Sequence, residues 1–531
     1  MKPPIYSYNR RAVESRLVQA FRKRGREATV ADLIAATGLP RLQIEETLPQ
    51  VVRDYRGHLR VTESGEILYH FPHGVHHRER SPRARAARLL RRIGRGAAAV
   101  GKLVFKLWIM LMLVGYFVLF VALVIAALMA SLAASAKSEG RSRGRSIGGT
   151  YMMTRLIQQV FWLWMFSGRR RGYGYRGAAI GSGIGGSRTR SNGLDWSASR
   201  SEGDGPPLHQ SVFAFVFGSD DPAREWETRE RQAFVELVQT HKGVVTLDEL
   251  RAMSGRSLDE AHDLMNRMLL EYDGEPDVTE QGSLIYRFPE LLRTAEPSDR
   301  RGGRIDRLLP AMPTVPFNDN SPGLNRWIGV LNGVNLGFGA YFTGFGLAGG
   351  LPEEGFGLFY SIVVVLFSEI AANPLGLVLI GLGVVPLVFS LLFYLIPVLR
   401  WRIVSQRNTR IARRNARQDV LQGLMAAATT GTAEVDPHAI VRGTEDRDEI
   451  RLRLEVLNEI AAELQADIEA EEAPEAGSAE FAANLAGGAA HDRLRYRFPD
   501  LVRQQADVQR LREGINPDDY RTGKVVFDSN E

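Results

Sequence analysis

The stretch that decides the fold is residues 246–289, TLDELRAMSGRSLDEAHDLMNRMLLEYDGEPDVTEQGSLIYRFP. Residues 29–72, TVADLIAATGLPRLQIEETLPQVVRDYRGHLRVTESGEILYHFP, align with it without a gap. The matched pairs include Thr29/Thr246, Leu33/Leu250, Gly38/Gly255, Tyr55/Tyr272, Gly57/Gly274, Val61/Val278, Thr62/Thr279, Glu63/Glu280, Gly65/Gly282, Tyr69/Tyr286, Phe71/Phe288 and Pro72/Pro289. Because the spacing is preserved over so many positions, the chain uses one supersecondary unit at least twice.

A third, shorter copy lies near the end of the chain, where residues 496–501 repeat residues 286–291. All three copies share a signature of tyrosine, any residue, phenylalanine and proline. Its residues are Tyr69, Phe71 and Pro72, then Tyr286, Phe288 and Pro289, then Tyr496, Phe498 and Pro499. The sequence therefore predicts three related modules.

The central copy predicts a helix, a strand, two more helices and a hairpin. The predicted elements are helix 231–240, strand 244–245, helix 247–253, helix 258–271 and hairpin 278–287. Thr246 is the expected N-cap of the second helix and Gly255 its stop, and Gly282 supplies the positive φ of the hairpin turn. This order of elements is typical of a winged helix.

The other two copies depart from this pattern. Pro49 falls inside the third helix of the first copy and is expected to kink or split it. In the last copy the third helix is expected to be long and acidic, over residues 449–472. An Ala- and Gly-rich insertion at residues 475–490 then precedes the last strand.

Composition excludes several kinds of site. The 531 residues contain no cysteine, which rules out disulfides, thiolate metal sites and cysteine nucleophiles. The formal charge of +6 hides an asymmetry, because arginines cluster beside apolar runs. Residues 1–11 lack an apolar segment behind their basic residues, so we expect no cleavable signal peptide and a cytoplasmic N-terminus.

The first apolar run, residues 107–136, carries no charge and predicts a membrane segment. One straight helix of this length would measure about 45 Å, against a hydrocarbon core of ~30 Å. The run therefore tilts, overshoots the bilayer or folds back at Gly115-Tyr116. Arginines flank both ends, and a hairpin satisfies the positive-inside rule at both, so the hairpin is the favoured prediction.

A second membrane region covers residues 326–399. Its first part is uncharged but rich in glycine, so re-entrant and interfacial placements both stay open. The remainder predicts a helical hairpin that breaks at Asn373-Pro374. Glu369 is the candidate intramembrane polar residue, and it marks either an ion or substrate path or the turn of this hairpin at the far surface.

Aromatic and basic residues mark where the chain meets lipid. The segment 151–167 is too short and too polar to span, and it predicts a helix in the headgroup region, with anionic lipid as its partner. The predicted anchoring residues are Trp108, Trp162, Trp164, Arg169, Arg170, Arg171, Trp401 and Arg402. The Gly- and Ser-rich sequence that follows, residues 172–205, predicts a flexible linker.

Nucleic acid is an unfavourable partner for these modules. A winged helix that binds DNA places its third helix in the major groove and needs cations there. In the central copy, that helix and its flanks hold two arginines, Arg256 and Arg267, against five acids. The last copy has a larger excess of acids and the first is roughly balanced, so protein docking is favoured.

The sequence contains no recognisable catalytic motif. The G-x-G-x-x-G match at residues 181–186 lacks a preceding strand and belongs to the linker. The histidines that crowd after the first hairpin, His70, His73, His76 and His77, are interpreted as a solvated patch rather than a metal site. Neither enzymatic activity nor a cofactor is expected.

The predicted fold class is α+β, with three winged-helix-like modules joined by α-helical membrane hairpins. The predicted segments are module 1 at 1–75, a basic juxtamembrane segment at 76–102, a membrane hairpin at 103–136, a linker at 137–209 containing the interfacial helix 151–167, module 2 at 210–295, a linker at 296–325, the membrane region at 326–399, a basic juxtamembrane segment at 400–417, module 3 at 418–505 and a C-terminal tail at 506–531.

Three segments, SVFAFVFG at 211–218, DGEPDVTE at 273–280 and LIYRFPEL at 284–291, resemble a family of largely uncharacterised membrane proteins. That family, with its winged-helix repeats, occurs in cyanobacteria, other bacteria and plant plastid envelopes, and the resemblance covers about half the chain. Some plant members carry an iron–sulfur cluster biosynthesis label, to which a chain without cysteine gives no physical support. The resemblance implies a fold and no catalytic residues.

The favoured function is a non-enzymatic scaffold or adaptor, integral to the inner, cytoplasmic membrane with its modules in the cytoplasm. The modules would self-associate or dock protein partners, and the paired hairpins would shape the membrane. A membrane-tethered DNA-binding regulator is the alternative, and a small-solute transporter or channel that uses Glu369 is the third.

Overall fold

The computed structural model describes residues 8–24, 27–72, 74–75, 82–138, 207–295, 309–348, 356–368, 371–432, 434–437, 446–470, 494–520 and 522–529. The chain divides into two compact units. Unit 1 comprises Met1–Arg83, Asp221–Val315 and Gln406–Glu531, and unit 2 comprises Ala84–Asp220 and Pro316–Ser405. Unit 1 combines helices with small antiparallel sheets, and the described part of unit 2 is helical.

Unit 1 contains three modules built from the same kinds of element. Module 1 has helices Arg10–Arg24, Val30–Thr37 and Arg41–Tyr55, strand Glu27–Ala28, and hairpin strands His58–Thr62 and Ile67–His70. Module 2 has helices Trp226–Thr240, Leu247–Ser254 and Leu258–Tyr272, strand Val244–Val245, and hairpin strands Glu275–Val278 and Leu284–Arg287. In module 3 the first helix is the end of helix Val385–Thr429, and the third helix is Arg447–Glu463. Its short strand is Glu434–Val435, and its hairpin strands are Asp467–Ala470 and Leu494–Arg497.

The three sheets share one topology and one register. In each module the short first strand pairs with the second hairpin strand, which pairs with the first hairpin strand, all antiparallel. The signature tyrosine always lies opposite the last residue of the short strand, in the pairs Ala28/Tyr69, Val245/Tyr286 and Val435/Tyr496. The repeat seen in the sequence is therefore a repeat of strand pairing.

Close packing explains two further parts of the repeat. The ring of Phe288 lies so near Gly274 that a Cβ on this glycine would sit 2.3 Å from the ring, and Phe71 approaches Gly57 in the same way, at 2.7 Å. Glycine is therefore required beside the signature phenylalanine in modules 1 and 2. Buried residues of modules 1 and 2, including Phe71 and Phe288, belong to one continuous hydrophobic core.

Helix ends in module 2 lie where the sequence predicts them. The Thr246 side chain accepts from the backbone N–H of Glu249 and forms a capping box, and Gly255 ends that helix at φ 66°. The hairpin glycine, Gly282, has φ 88°. These predictions are confirmed, because a side-chain oxygen at the N-cap and a residue without Cβ at a left-handed position are local requirements.

The third helices of modules 1 and 3 differ from their predictions. Pro49 was expected to kink or split the helix of module 1, but helix Arg41–Tyr55 continues through Pro49 and is not split. Since Pro49 is exposed, the carbonyl that loses its helical partner can bond to water. In module 3 the third helix ends at Glu463 and a strand starts at Asp467, so the acidic residues beyond 463 do not belong to this helix.

The hairpin predicted within residues 103–136 is also wrong. These residues lie in one continuous helix, Pro82–Ser138. The run contains no proline, and a single glycine at Gly115 costs a helix far less than a turn that leaves backbone groups unpaired. The positive-inside rule favoured the hairpin, but backbone hydrogen bonding determines the local conformation.

The remaining helices of unit 2 are Leu208–Phe217, Pro322–Ala348, Phe356–Ser368, Pro374–Leu377, the π-helix Val378–Val384 and the beginning of Val385–Thr429. A new helix begins at Pro374, and the Asn373 side chain caps it. The predicted helical break is therefore confirmed. Among the residues that the structure describes, two helices are long and apolar enough to cross a membrane, over Val100–Met129 and Pro374–Thr429.

The glycine-rich sequence after residue 326 allows two helices to approach closely. A Cβ on Gly339 would lie 2.7 Å from the backbone nitrogen of Leu387, and one on Gly383 would lie 2.8 Å from that of Thr343. Small residues at such a crossing are typical of helices packed in membranes. The glycine-rich first part of the second membrane region, whose placement the sequence left open, lies in helix Pro322–Ala348.

Candidate interaction surface

The interface between modules 1 and 2 is repeated between modules 2 and 3. The second helices of modules 1 and 2 each end in a left-handed glycine, against which the first helix of the next module packs. A Cβ on Gly38 would lie 3.1 Å from the carbonyl oxygen of Thr228, and one on Gly255 would lie 2.2 Å from that of Arg414. These glycines therefore serve two purposes, since they end a helix and admit the neighbouring module.

A glutamine makes the same hydrogen bond at both interfaces. Gln232 Nε2 donates to the carbonyl of Ala36 at 2.7 Å, and Gln418 Nε2 donates to that of Met253 at 3.0 Å. Ala36 and Met253 are equivalent positions in the gapless repeat. The three modules therefore follow one another in unit 1 with a common mode of packing.

The capping acid of each second helix binds a segment that comes from further along the chain. In module 1, Asp32 accepts the backbone N–H of Ala295 at 2.9 Å. In module 2, Glu249 accepts both terminal nitrogens of Arg512, at 2.8 and 2.6 Å. Glu249 is 1% exposed, and burial would raise its pKa, but the charges of His241 and Arg512 outweigh that effect and hold the pKa far below its ordinary value.

A second buried carboxylate joins modules 2 and 3. Glu230 accepts two hydrogen bonds from Arg256, both at 2.8 Å, and one from Arg414 at 2.6 Å. Burial opposes its ionisation, yet the two guanidinium groups keep the pKa of Glu230 below its ordinary value. Arg256, which the sequence analysis included among the cations of a possible DNA-binding surface, is thus paired with a buried carboxylate.

The C-terminal residues connect module 3 to the other two modules. Helix Pro499–Gly514 brings Val508 into a small apolar cluster with Val244 and Ile285 of module 2. The final strand, Val525–Asp528, pairs with His58–Thr62 and makes the module 1 sheet four-stranded. Residues 506–531, predicted as a tail, therefore contribute a buried helix face and a strand.

The exposed surface of module 2 is strongly acidic. Within residues 258–287 the exposed carboxylates are Asp259, Glu260, Asp263, Asp273, Glu275 and Glu280, and the exposed guanidinium groups are Arg267 and Arg287. Asp273 pairs with Arg41 of module 1 at 3.0 Å. The other five carboxylates define the acidic face. Such a surface repels a polyanion and attracts cationic groups.

Module 3 presents a different surface on its third helix. A cavity of about 510 Å³ is lined by Arg447, Ile450, Arg451, Leu454, Glu455 and Asn458. Glu459 and Glu463 of the same helix pair with Arg417 and Arg251, so part of its negative charge is neutralised. This helix is therefore less acidic in the folded protein than its sequence predicts.

The predicted anchoring and signature residues have different environments. In unit 2, Trp108, Trp401 and Arg402 are exposed. The signature tyrosines and phenylalanines, Tyr69, Phe71, Tyr286, Phe288, Tyr496 and Phe498, are all buried. Trp162, Trp164, Arg169, Arg170, Arg171, Glu369 and the interfacial helix 151–167 lie outside the described residues. Those predictions therefore stay predictions.

The histidine patch is represented by one described residue. His70 Nδ1 lies 2.9 Å from Glu27, and burial together with the charge of Arg60 holds the pKa of His70 below its ordinary value. His73, His76 and His77 lie outside the described part of the chain. Within the described residues, no three metal-ligating side chains converge.

Sequence reasoning missed the residues that join the modules. The one detectable signal was the dipeptide Arg231-Gln232, which recurs as Arg417-Gln418 in the first helix of module 3. Nothing local distinguishes Arg512 or the final strand, because their partners are more than 200 residues away.

Comparison with known proteins gives one informative relative. The chain is similar to an uncharacterised chloroplastic protein of Arabidopsis thaliana, at 24% identity over 426 residues, which cover 76% of this chain and 71% of the relative. No family model and no solved structure matches the chain. The similarity supports a link to an uncharacterised plastid-associated family, while the winged-helix repeats and the cyanobacterial range predicted for that family stay predictions.

Proposed function

We propose that the chain is a non-enzymatic, membrane-anchored docking protein, whose three modules are winged helices that form one platform for a partner with a basic surface. The observation that carries this proposal is the acidic face, where Asp259, Glu260, Asp263, Glu275 and Glu280 are exposed together on the third helix and hairpin of module 2. In a winged helix this is the surface that meets a ligand, and here its charge selects cations.

The internal ion pairs support docking over DNA binding. Arg256, just before the third helix of module 2, binds Glu230, and Arg231 of the first helix binds Glu271 of the third. Arg267 and Arg287 remain about half exposed, but two guanidinium groups do not offset five carboxylates. A tethered DNA-binding regulator would need the opposite balance on this surface.

Membrane anchoring is supported by the two long apolar helices, Val100–Met129 and Pro374–Thr429. Arginines precede the first apolar region at residues 83–95 and follow the second at residues 400–417, and modules 1 and 2 share one core, so we place the modules together on the cytoplasmic side of an inner membrane. Flotation of the full chain with lipid vesicles after an alkaline wash tests the anchoring. Recovery in the wash fraction would contradict it.

A binding measurement tests the docking surface. The full chain in a neutral detergent is titrated into a labelled (Lys-Gly)5 peptide and, separately, into a labelled 20-base-pair DNA duplex, with fluorescence anisotropy as the readout. We expect salt-sensitive binding of the peptide and none of the duplex. The variant Asp259→Lys/Asp263→Lys should bind the peptide at least about tenfold more weakly, because each exchange replaces attraction by repulsion.

The matched control is Asp500→Lys/Glu513→Lys, which changes the charge equally on exposed residues of helix Pro499–Gly514. It should bind the peptide within about twofold of the parent chain. Equal weakening in both variants would show that net charge alone governs binding. Tight binding of the duplex by the parent chain would favour the DNA-binding regulator.

A further inference from the structure

Unit 2 contains an apolar cavity of about 390 Å³. It is lined by Leu111, Gly115 and Tyr116 of helix Pro82–Ser138, by Phe367, and by Gly381 and Leu382 of the π-helix, among others. A volume of this size lies near the lower end of the ~300–1,000 Å³ range of ligand pockets. The cavity is therefore large enough for part of a slender molecule.

Two glycines and the π-helix keep this space open. A Cβ on Gly115 or on Gly381 would make only ordinary contacts, at 3.6 and 3.7 Å, with a leucine of its own helix. Larger side chains would therefore fit there and fill the cavity. The seven residues Val378–Val384 form a π-helix, a widened turn that often occurs at functional sites.

The wall offers a ligand little to bind through hydrogen bonds. The hydroxyl group of Tyr116 donates to the carbonyl oxygen of Gly381 at 2.9 Å, so this group is already used within the wall. The other named lining side chains are aliphatic or phenyl groups, or are absent at glycine. A polar solute would lose its hydrogen bonds to water in this cavity and gain none from the wall. A hydrocarbon has no such hydrogen bonds to lose.

The position of the cavity indicates that a hydrocarbon ligand would come from the lipid bilayer. Gly115 lies at the middle of the apolar stretch Val100–Met129, roughly 20 Å from either end at ~1.5 Å per residue. Leu111 and Leu377, which line the cavity at its rim, are 60% and 44% exposed. In a bilayer this rim meets acyl chains and not headgroups.

We propose that this cavity binds one acyl chain of a membrane phospholipid. The inference rests on the membrane anchoring in the proposed function. It does not depend on the acidic face, because the cavity belongs wholly to unit 2. The bound chain would make unit 2 selective for lipids whose chains reach the middle of the bilayer.

Photocrosslinking tests the proposal. The full chain is reconstituted in phosphatidylcholine vesicles containing a phospholipid with a diazirine in the middle of one acyl chain, and crosslinked peptides are mapped by mass spectrometry. We expect adducts concentrated in residues 111–119 and 377–382. Gly115→Leu and Gly381→Leu, each of which fills the cavity, should reduce these adducts at least about fivefold.

Glycines on the same unit provide matched controls. Gly101 and Gly337 have no neighbouring atom within 4 Å of an added Cβ, so Gly101→Leu and Gly337→Leu should leave the adducts unchanged. An even spread of adducts along helix Pro82–Ser138, unaffected by both cavity variants, would overturn the proposal. Flotation of every variant is measured in parallel, and failure to float identifies a failure of membrane anchoring instead.

A free fatty acid carrying the same diazirine gives a second arm. Both probes are used at the same mole fraction in the same phosphatidylcholine vesicles. The phospholipid proposal predicts that the phospholipid probe labels residues 111–119 and 377–382 more strongly than the fatty-acid probe does, and that excess unlabelled palmitate leaves these adducts unchanged. Stronger labelling by the fatty-acid probe, or suppression of the adducts by palmitate, would show that the site takes a free acid and that the phospholipid assignment is wrong.

Discussion

At the scale of single residues, the three modules are joined by a few buried polar groups. Glu249 and Glu230 are almost fully buried, and both lie opposite arginines that come from later parts of the chain. A buried carboxylate is tolerated when it is paired and hydrogen-bonded, and removing one partner leaves an uncompensated charge. Arg512 and Arg414 are therefore the residues whose loss should affect unit 1 most.

Arg512→Met tests the first of these pairs. We expect the free energy of unfolding of unit 1 to fall by about 3 kcal/mol, since Glu249 would stay buried without its bidentate partner. Urea unfolding of the full chain in detergent measures this change. Arg503→Met, on the exposed side of the same helix, should cost less than about 0.5 kcal/mol. Equal losses in both variants would show that the buried pair contributes nothing.

The same pair predicts a dependence on pH. The folded protein lowers the pKa of Glu249 below the ordinary value of 4.5, so the ionised form favours folding. Its contribution is present in full above pH 4.5 and is lost as the pH falls toward the lowered pKa. The difference in stability between the parent chain and Arg512→Met should therefore narrow below pH 4.5. A difference that stays constant from pH 7 to pH 3 would contradict this assignment.

A comparison of Gly255→Ala with Gly282→Ala separates the cost of backbone strain from the cost of lost packing. Gly255 and Gly282 both have positive φ, but a Cβ would meet the Arg414 carbonyl at 2.2 Å in the first and no atom within 4 Å in the second. Gly282→Ala should therefore cost about 1–2 kcal/mol from strain alone. Gly255→Ala should cost at least about 1 kcal/mol more, because module 3 must move. Thermal unfolding of the two variants measures the difference, and equal losses would disprove close packing at Gly255.

At the scale of elements, the final strand has the clearest structural effect. Val525–Asp528 covers the outer edge of the module 1 hairpin, and Arg60 reaches Asp528 at 2.6 Å. An uncovered strand edge presents unpaired backbone groups to solvent or to other chains. In module 2, the described residues place no further strand beside Glu275–Val278.

Removal of residues 522–531 tests the role of this strand. Amide protons of His58–Thr62 that now bond to the final strand should exchange with deuterium at least about tenfold faster in the truncated chain. Exchange in Glu275–Val278 should not change, which provides the internal control. Unchanged protection of His58–Thr62 would mean that the two-stranded hairpin is stable by itself.

At the scale of the whole molecule, the continuous helix Pro82–Ser138 changes how the chain is expected to meet a membrane. A hairpin would return its two ends to one side, whereas one helix of this length would carry Gly101 and Met129 to opposite sides. Since modules 1 and 2 share one core, a crossing by this helix requires the chain to cross again before module 2. The chain contains no cysteine, so single cysteines can be introduced without first removing others.

Gly101→Cys and Met129→Cys test the crossing. In sealed vesicles, a membrane-impermeant maleimide should label one of these cysteines before permeabilisation and the other only afterwards. The measurement is the fraction labelled in each variant, with a detergent-treated sample as the reference for full labelling. Labelling of both cysteines from the same side would restore the hairpin and contradict a single crossing.

The sequence by itself determined the elements within each module. Thr246, Gly255 and Gly282 act through their own backbone and near neighbours, so their roles follow from residue type and spacing. The gapless repeat likewise predicted that the modules share one structure, because equal spacing of core residues imposes equal packing. The break at Asn373-Pro374 was predictable for the same local reason.

Only the tertiary structure decided how these elements combine. The pairing of Arg512 with Glu249 and of Val525–Asp528 with His58–Thr62 joins residues hundreds of positions apart, and no local preference encodes such partners. The acidic face shows the same limit, because Arg256 counts as a surface cation in the sequence but is the half-buried partner of Glu230 in the fold. Composition alone cannot distinguish a charged side chain that is paired within the protein from one that is exposed to a ligand.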